Sequence, residues 1–279
     1  MSLDIERALG DGLDRVLTRP GAYLVGAFLV IGFANTVVAQ SISEVAIEFV
    51  IDEFGRRLAE TGSLEELRRQ ADEIPFAVSA PPTLLAVAFV ALVFVSEAVG
   101  IVAVRTFAAA DPEGLPEGLT DGLPLATVNE FVAGILTFLI VVVGFVVGLI
   151  GLVIGGFVLA TFLAISLIFV RQAVALDDEN AIGALGRSWN VATGNRWYLF
   201  GLVVVLVVLD VVVGAVSGLV GGILGPAVNV LFNVVVGATV GVFGIAVTTR
   251  AYQQLRTERG DVDGTGVGGG GEPEGWNDY

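Results

Sequence analysis

The sequence predicts an all-α, polytopic membrane protein: six transmembrane helices as three repeated hairpins, with cytoplasmic interfacial helices and an outer helical loop. Three observations predict it. The 279 residues are 55% hydrophobic, with a mean hydropathy of +0.85. The apolar residues fall in long Val/Leu/Ile/Gly/Phe runs, and runs of ~20 residues match a hydrocarbon core of ~30 Å. The alternating pattern of a membrane β-barrel is absent.

The elements follow in order. Ile5, Leu9, Leu13 and Val16 share one helical face, which fits a short interfacial helix feeding the first span. Asp4, Glu6, Asp11 and Asp14 are unlike the basic start of a signal peptide. Val37 and Ala39 imitate a cleavage site, but a retained span is expected. The spans fall at about 21–40, 82–108, 126–149, 152–175, 197–220 and 227–251. The forty residues from Phe131 to Val170 would measure ~60 Å as one helix, twice the hydrocarbon core. They must fold back, and Gly148, Gly151, Gly155 and Gly156 offer the turn. Ile182, Leu185 and Trp189 mark a second interfacial helix, ahead of the fifth span.

Residues 41–80 form the outer loop and read as two amphipathic helices. Ile47, Ile51, Phe54 and Leu58 share a face of the first. Ser63-x-x-Glu66 opens the second as a capping box, with Leu64, Leu67, Ala71 and Ile74 on one face. Asp52–Arg56, Glu53–Arg57, Glu65–Arg69 and Arg68–Asp72 stand at ion-pair spacing. Pro75 and Pro81-Pro82 end helix and lead into the second span. A lid packed on the outer ends of the bundle is expected, with a partner-binding cap as the alternative. Residues 1–255 form the membrane domain. Residues 256–279, Gly-rich and acidic, are expected to be a disordered cytoplasmic tail. Asp261-x-Asp263-Gly264 lacks the remaining ligands of a calcium loop, so no metal site is expected.

Net charge is −15, and all 14 basic residues are Arg. Dense acid without Lys predicts an organism that keeps molar salt inside its cells, a halophilic archaeon. At ~1 M salt the Debye length is about 3 Å, so long-range steering is weak. So acidic a chain argues against nucleic acid. The expected partners are the lipid bilayer and another membrane protein or a second copy. With the N-terminus inside, the cytoplasmic side collects Arg7, Arg15, Arg19, Arg105, Arg171, Arg187, Arg196, Arg250, Arg256 and Arg259. The outer side collects Arg56, Arg57, Arg68 and Arg69. That bias places both termini in the cytoplasm and the chain in the cell membrane.

Two hairpins leave the membrane alike, through Val104-Arg105-Thr106-Phe107-Ala108-Ala109-Ala110-Asp111 and Val170-Arg171-Gln172-Ala173-Val174-Ala175-Leu176-Asp177. The third leaves through Thr249-Arg250-Ala251-Tyr252. The segment Arg171 to Asp177, followed by Ala184-Leu185-Gly186-Arg187-Ser188-Trp189, resembles the six-span membrane domain associated with glycerophosphodiester phosphodiesterases. Similar uncharacterised haloarchaeal membrane proteins share the look. The resemblance covers most of residues 1–255 and implies a fold. It implies no catalytic residue, because the hydrolase of such fusions is a soluble barrel and no segment here is long enough for one.

Two acids lie deep inside the spans, Glu97 and Asp210, and an ionisable group in hydrocarbon marks a candidate site. Asp210, Gly214, Gly218 and Gly222 form a small-residue ladder, and Gly225, Asn229, Asn233, Gly237 and Gly241 form another. Folded about Gly222–Pro226, the two would meet in one antiparallel seam, with Asp210 near Gly237. Glu97 lies two turns from Arg105 on one side of its span, which makes Arg105 its expected partner. Asn35 and Asn129-Glu130 are further polar candidates. Arg171, Trp189, Trp197 and Arg250 are expected to anchor the helices at the interface.

No His, Cys or Lys is present, and Asp210 follows Val-Val-Leu instead of the Gly-x-Gly of intramembrane aspartyl proteases. Rhomboid-type and zinc chemistries need histidine. No enzyme activity, catalytic residue or cofactor is expected. The expected function is a non-enzymatic integral membrane scaffold or accessory protein. The alternative is a small transporter or lipid-handling protein that uses Glu97 and Asp210. A dry seam around Asp210 favours the first, and a polar cavity reaching either acid favours the second. The orientation has a direct test: a single cysteine placed in 41–80 of this cysteine-free chain is expected to label from outside intact cells. Labelling only after permeabilisation would reverse the topology.

Overall fold

The computed structural model describes residues 3–151 and 153–258. The expected tail from residue 259 on lies outside the described residues. Among the described residues there are ten helices: α1 (Ile5–Val16), α2 (Arg19–Thr61), α3 (Leu64–Asp72), α4 (Pro82–Ala108), α5 (Leu123–Gly151), α6 (Val153–Ser166), α7 (Val170–Asp177), α8 (Ala181–Ala192), α9 (Arg196–Leu224) and α10 (Pro226–Glu258). Six stretches are long and apolar enough to cross a membrane, α6 and α7 together making the fourth. Val-rich runs are mediocre helix formers in water, but in hydrocarbon every backbone N–H and C=O needs an internal partner, which makes them helical.

Helix ends follow local chemistry. Asp4 Oδ1 accepts from the Arg7 N–H at 3.0 Å and caps α1. Thr18 Oγ1 accepts from the Gly21 N–H and caps α2, with Pro20 in the first turn. Gly21 lies so close to the Val16 carbonyl that any Cβ there would collide with it. Asn180 Oδ1 takes the N–H groups of Ile182 and Gly183 and caps α8. The α5–α6 reversal is a close backbone approach, since a Cβ on Gly148 would lie 2.5 Å from the Gly155 carbonyl oxygen. Gly225, at φ +88°, turns α9 into α10, and Pro226 opens the new helix.

The outer loop departs from expectation. Its first helix is the continuation of the first span, so α2 runs 43 residues. α3 packs mainly on this extension, making an arm instead of a lid. Gln40 Oε1 and Ser41 Oγ accept the N–H groups of Phe76 and Val78 and tie the returning chain to α2. The capping box does not close. Ser63 has helical backbone angles, φ −82° and ψ −13°, and makes no cap hydrogen bond, and the Glu66 side chain turns to Arg69 and Gln70. Ion pairs in the outer loop stand three residues apart, Glu65–Arg68 at 3.3 Å and Glu66–Arg69 at 2.5 Å.

The buried core gathers toward the side of the membrane that holds α1 and the end of α10. One cluster joins Ala8, Phe169, Val191, Leu199, Val247 and Tyr252. A second joins Ile101, Val104, Ala133, Ala173 and Ala184. A third joins Leu24, Phe107, Val242 and Ala246. α1 and α8 bury small residues most completely, while Ile5, Leu9 and Val16 of α1 and Leu185 of α8 pack half-buried against the core. Ala8 and Gly12 are buried in α1, Ala184 and Ser188 in α8, while Leu13 and Ile182 stand exposed. Small residues let backbones approach, and lipid solvates the large ones.

The fourth span is broken. α6 stops at Ser166 and α7 starts at Val170, with neither Gly nor Pro between. Ser188 of α8 reaches into the gap, accepting the Phe169 N–H at 3.0 Å and donating to the Ser166 carbonyl at 3.1 Å. A side chain inserted into the hydrogen-bond ladder is a recognised cause of such breaks. Irregular backbone at membrane depth survives when buried in protein. Ser188→Ala would leave the buried Phe169 N–H unpaired, so a loss of about 1–3 kcal/mol is expected. Thermal unfolding in detergent would read it, and an unchanged midpoint would remove Ser188 from this role.

Candidate functional site

α7 begins with Val170 and presents Arg171 directly after the break. Arg171 Nη2 donates to Glu97 Oε2 of α4 at 2.6 Å, and Nε donates to Glu130 Oε1 of α5 at 3.0 Å. Gly100, one turn beyond Glu97, makes room: a Cβ there would lie 3.0 Å from Arg171 Nη1. Two carboxylates thus meet one guanidinium, and acid is in excess. Such charge-assisted hydrogen bonds offset the cost of placing an arginine at membrane depth.

A crevice of about 410 Å³ opens beside this cluster. Glu130, Gly134 and Thr137 line it from one face of α5, and Gln172 joins them from α7. Leu206 of α9 and Gly241, Gly244 and Thr248 of α10 form the opposite wall. Gln172 Nε2 donates to Thr248 Oγ1 at 3.0 Å. Glu130 Oε2, Gln172 Oε1 and Thr137 Oγ1 have no hydrogen-bond partner among the described residues. Glu130 is 6% and Gln172 2% exposed. The unused atoms are all acceptors, Thr137 being a donor as well. The crevice therefore suits a cation or a group rich in N–H or O–H donors. No group of three or more carboxylates able to hold a metal ion occurs among the described residues.

The predicted site residues are redistributed. Arg105 is not the partner of Glu97. Its Nε donates to the Ala175 carbonyl at 3.1 Å and its Nη1 to the carbonyls of Leu119 and Asp121. The reason is position: near the end of α4, Arg105 meets the chain leaving α7, whereas Glu97 faces Arg171. Arg171 is consequently no snorkelling anchor. Arg250 donates to Gln253 at 2.8 Å. Trp197, 85% exposed, suits an interface anchor, while Trp189 packs edge-on against Phe162.

Asp210 is exposed at the midpoint of α9, one helical turn beyond Leu206. The predicted glycine seam does not form. A Cβ on Gly214, Gly218, Gly222, Gly237 or Gly241 would meet nothing within 4 Å. The helices meet instead where Ser217 Oγ donates to Asn229 Oδ1 at 2.9 Å and Asn229 lies over Gly221. Asn233, exposed, donates to Asn229. A polar side chain paired across the hairpin fixes this register, and bare glycine faces supply no competing contact.

Sequence reasoning missed one further centre. Asp177, closing α7, accepts from Arg187 Nε at 2.8 Å and from the Tyr252 hydroxyl at 2.6 Å. Its other oxygen meets Arg256 at 2.9 Å. Burial opposes the charge of Arg187, but Asp177 and Tyr252 outweigh it and raise its pKa above the ordinary arginine value. Asp177 and Arg187 both belong to the stretch that carries the family resemblance, the one signal that could have singled them out.

No curated protein and no solved structure matches the chain. One family model matches residues 3–255, so it takes in the Arg171 cluster, the crevice, Asp210 and the Asp177 centre. The chain belongs to that family, described as a domain of unknown function, DUF7847.

Proposed function

We propose that the chain is a small, non-enzymatic membrane carrier whose site is the crevice beside Glu97, Arg171 and Glu130. Its ligand is a small cation or a donor-rich, amine-bearing solute. The carrying observation is the Glu130 carboxylate in the crevice wall, which spends Oε1 on Arg171 and leaves Oε2, buried, without a hydrogen-bond partner. A ligand bound at Oε2 would compete with Arg171 for the same carboxylate. Occupancy would then be coupled to the ionic link between α4, α5 and α7. Asp210 sits one turn farther along the α9 wall and offers a second acid on the route. The arginine bias supports a cytoplasmic-membrane location with the Asp177 centre on the inner face. In this reading the likeness to phosphodiesterase-associated membrane domains is one of scaffold, with Asp177 and Arg187 holding the fold.

The accessory-protein reading keeps one observation in its favour. Asp210 and the glycines of the α9–α10 hairpin are uncovered, and an acid facing lipid alone is costly, by about 2.5–3.5 kcal/mol at mid-span on insertion scales. A helix from another membrane protein or a second copy would cover them.

Flux assays separate the two. Proteoliposomes holding the chain and dyes for protons and sodium are expected to show gradient-driven flux. Glu130→Gln is expected to cut that flux by about tenfold or more, since a charge-assisted contact is removed. Asp210→Asn is expected to lower it less, with folding intact. Folded protein that passes neither ion nor a methylammonium tracer faster than empty liposomes would overturn the carrier reading. Cross-linking through cysteines at Gly214 and Gly237 would then test the accessory one.

A further inference from the structure

A second crevice, of about 680 Å³, lies between α6 and the start of α9, and the carrier reading does not use it. Its walls are apolar: Phe157, Val158, Phe162 and Ile165 from α6, and Trp197 and Phe200 from α9. Arg196 stands at its end near the membrane surface. We propose that this crevice holds an anionic phospholipid, with the phosphate on Arg196 and an acyl chain along the aromatic wall.

Charge complementarity carries the assignment. Arg105, Arg171, Arg187 and Arg256 each meet a carboxylate. Arg196 forms no ion pair among the described residues. Its Nε donates to Ser166 Oγ at 3.0 Å and its Nη2 to Thr193 Oγ1 at 3.2 Å. A guanidinium has five N–H donors, so three remain for a phosphate. The group is held in place beforehand, stacked 4.6 Å from the centre of the Phe162 ring and 4.7 Å from that of Trp189.

The start of α9 points the same way. Asn195, its N-cap, makes no cap hydrogen bond and instead accepts the Leu3 N–H at 3.2 Å. The first N–H groups of a 29-residue helix are thus left without a capping side chain, in the place where an anion is favoured. Val158 lies eight residues before Ser166, or ~12 Å deeper along the helix, which is acyl-chain depth. A zwitterionic lipid satisfies the apolar wall but carries no net charge for Arg196. A protein helix would need a carboxylate at this height.

Native mass spectrometry of the full chain in detergent, with phosphatidylglycerol or phosphatidylcholine added, tests the assignment. The wild type is expected to retain phosphatidylglycerol in preference. Arg196→Gln is expected to weaken that retention roughly tenfold, the value of a charged hydrogen bond. Val158→Trp, which fills the crevice and leaves Arg196 untouched, is expected to weaken it as well. It serves alone if Arg196→Gln fails to fold. Equal retention of both lipids by the wild type, or undiminished phosphatidylglycerol binding by folded Val158→Trp, would overturn the proposal.

Discussion

An arginine charge held within the fourth span organises this molecule. Arg171 cannot stand at membrane depth without carboxylates, and the two it finds come from different helices, Glu97 on α4 and Glu130 on α5. Those contacts fix α4, α5 and α7 around one point. The next residue, Gln172, reaches Thr248 and adds α10. α7 can present both side chains because the span is interrupted just before it. The interruption is tolerable because Ser188 pairs the Phe169 N–H and the Ser166 carbonyl. α8 is in turn held by Arg187 on Asp177, where Tyr252 and Arg256 of α10 also converge. Removing one partner from a buried ion pair leaves a charge uncompensated, so these contacts stand or fall together.

What could be read from the sequence was what is local. Six spans follow from apolar length, the α5–α6 reversal from the Gly148–Gly156 cluster, and the last turn from Gly225-Pro226. Each is decided by residues within a few positions of one another. The ionic site was only half legible. Glu97 could be singled out as an acid in an apolar run and Glu130 only as a further polar candidate, and helical spacing offered Arg105 as the partner of Glu97, eight residues away. The true partner is 74 residues away, and no periodicity connects them. The span break had no local mark at all, because its cause is a serine 22 residues downstream of Ser166.

The paired exits built on Arg105 and Arg171 show how far sequence similarity can part from structure. α4 ends at Ala108, so Asp111 lies beyond the helix and accepts the Glu113 N–H. α7 continues to Asp177, whose carboxylate gathers hydrogen bonds from Arg187 and Tyr252 and an ion pair with Arg256. The same six-residue interval from Arg to Asp therefore serves a loop in one case and a buried centre in the other. The helix end decides this, and α7 extends farther because α8 and α10 supply partners for its last carboxylate.

The burial of small residues in α1 and α8 has a more general cause. In water, Ile5, Leu9, Leu13 and Val16 would be driven inward, because solvent rejects them. Hydrocarbon accepts Leu and Val as readily as a protein core does, so that driving force between helices is absent. What remains is close packing, and close packing selects the residues with the least side chain. Gly12 shows it: a Cβ there would lie 3.1 Å from Val247 Cα, nearer than ordinary contact. Ala8, Ala184 and Ser188 are buried on the same principle, and Ile182 and Leu13 are left to the lipid. Amphipathic periodicity thus locates these helices, and Ile5, Leu9, Val16 and Leu185 do pack against the core, but the closest approaches are made by small residues. For a chain in a bilayer, the stripe of Ala, Gly and Ser is the better guide to the packed side. The glycines of the α9–α10 hairpin are the exception that matters, since they form such a stripe, lie uncovered, and share their helices with Asp210.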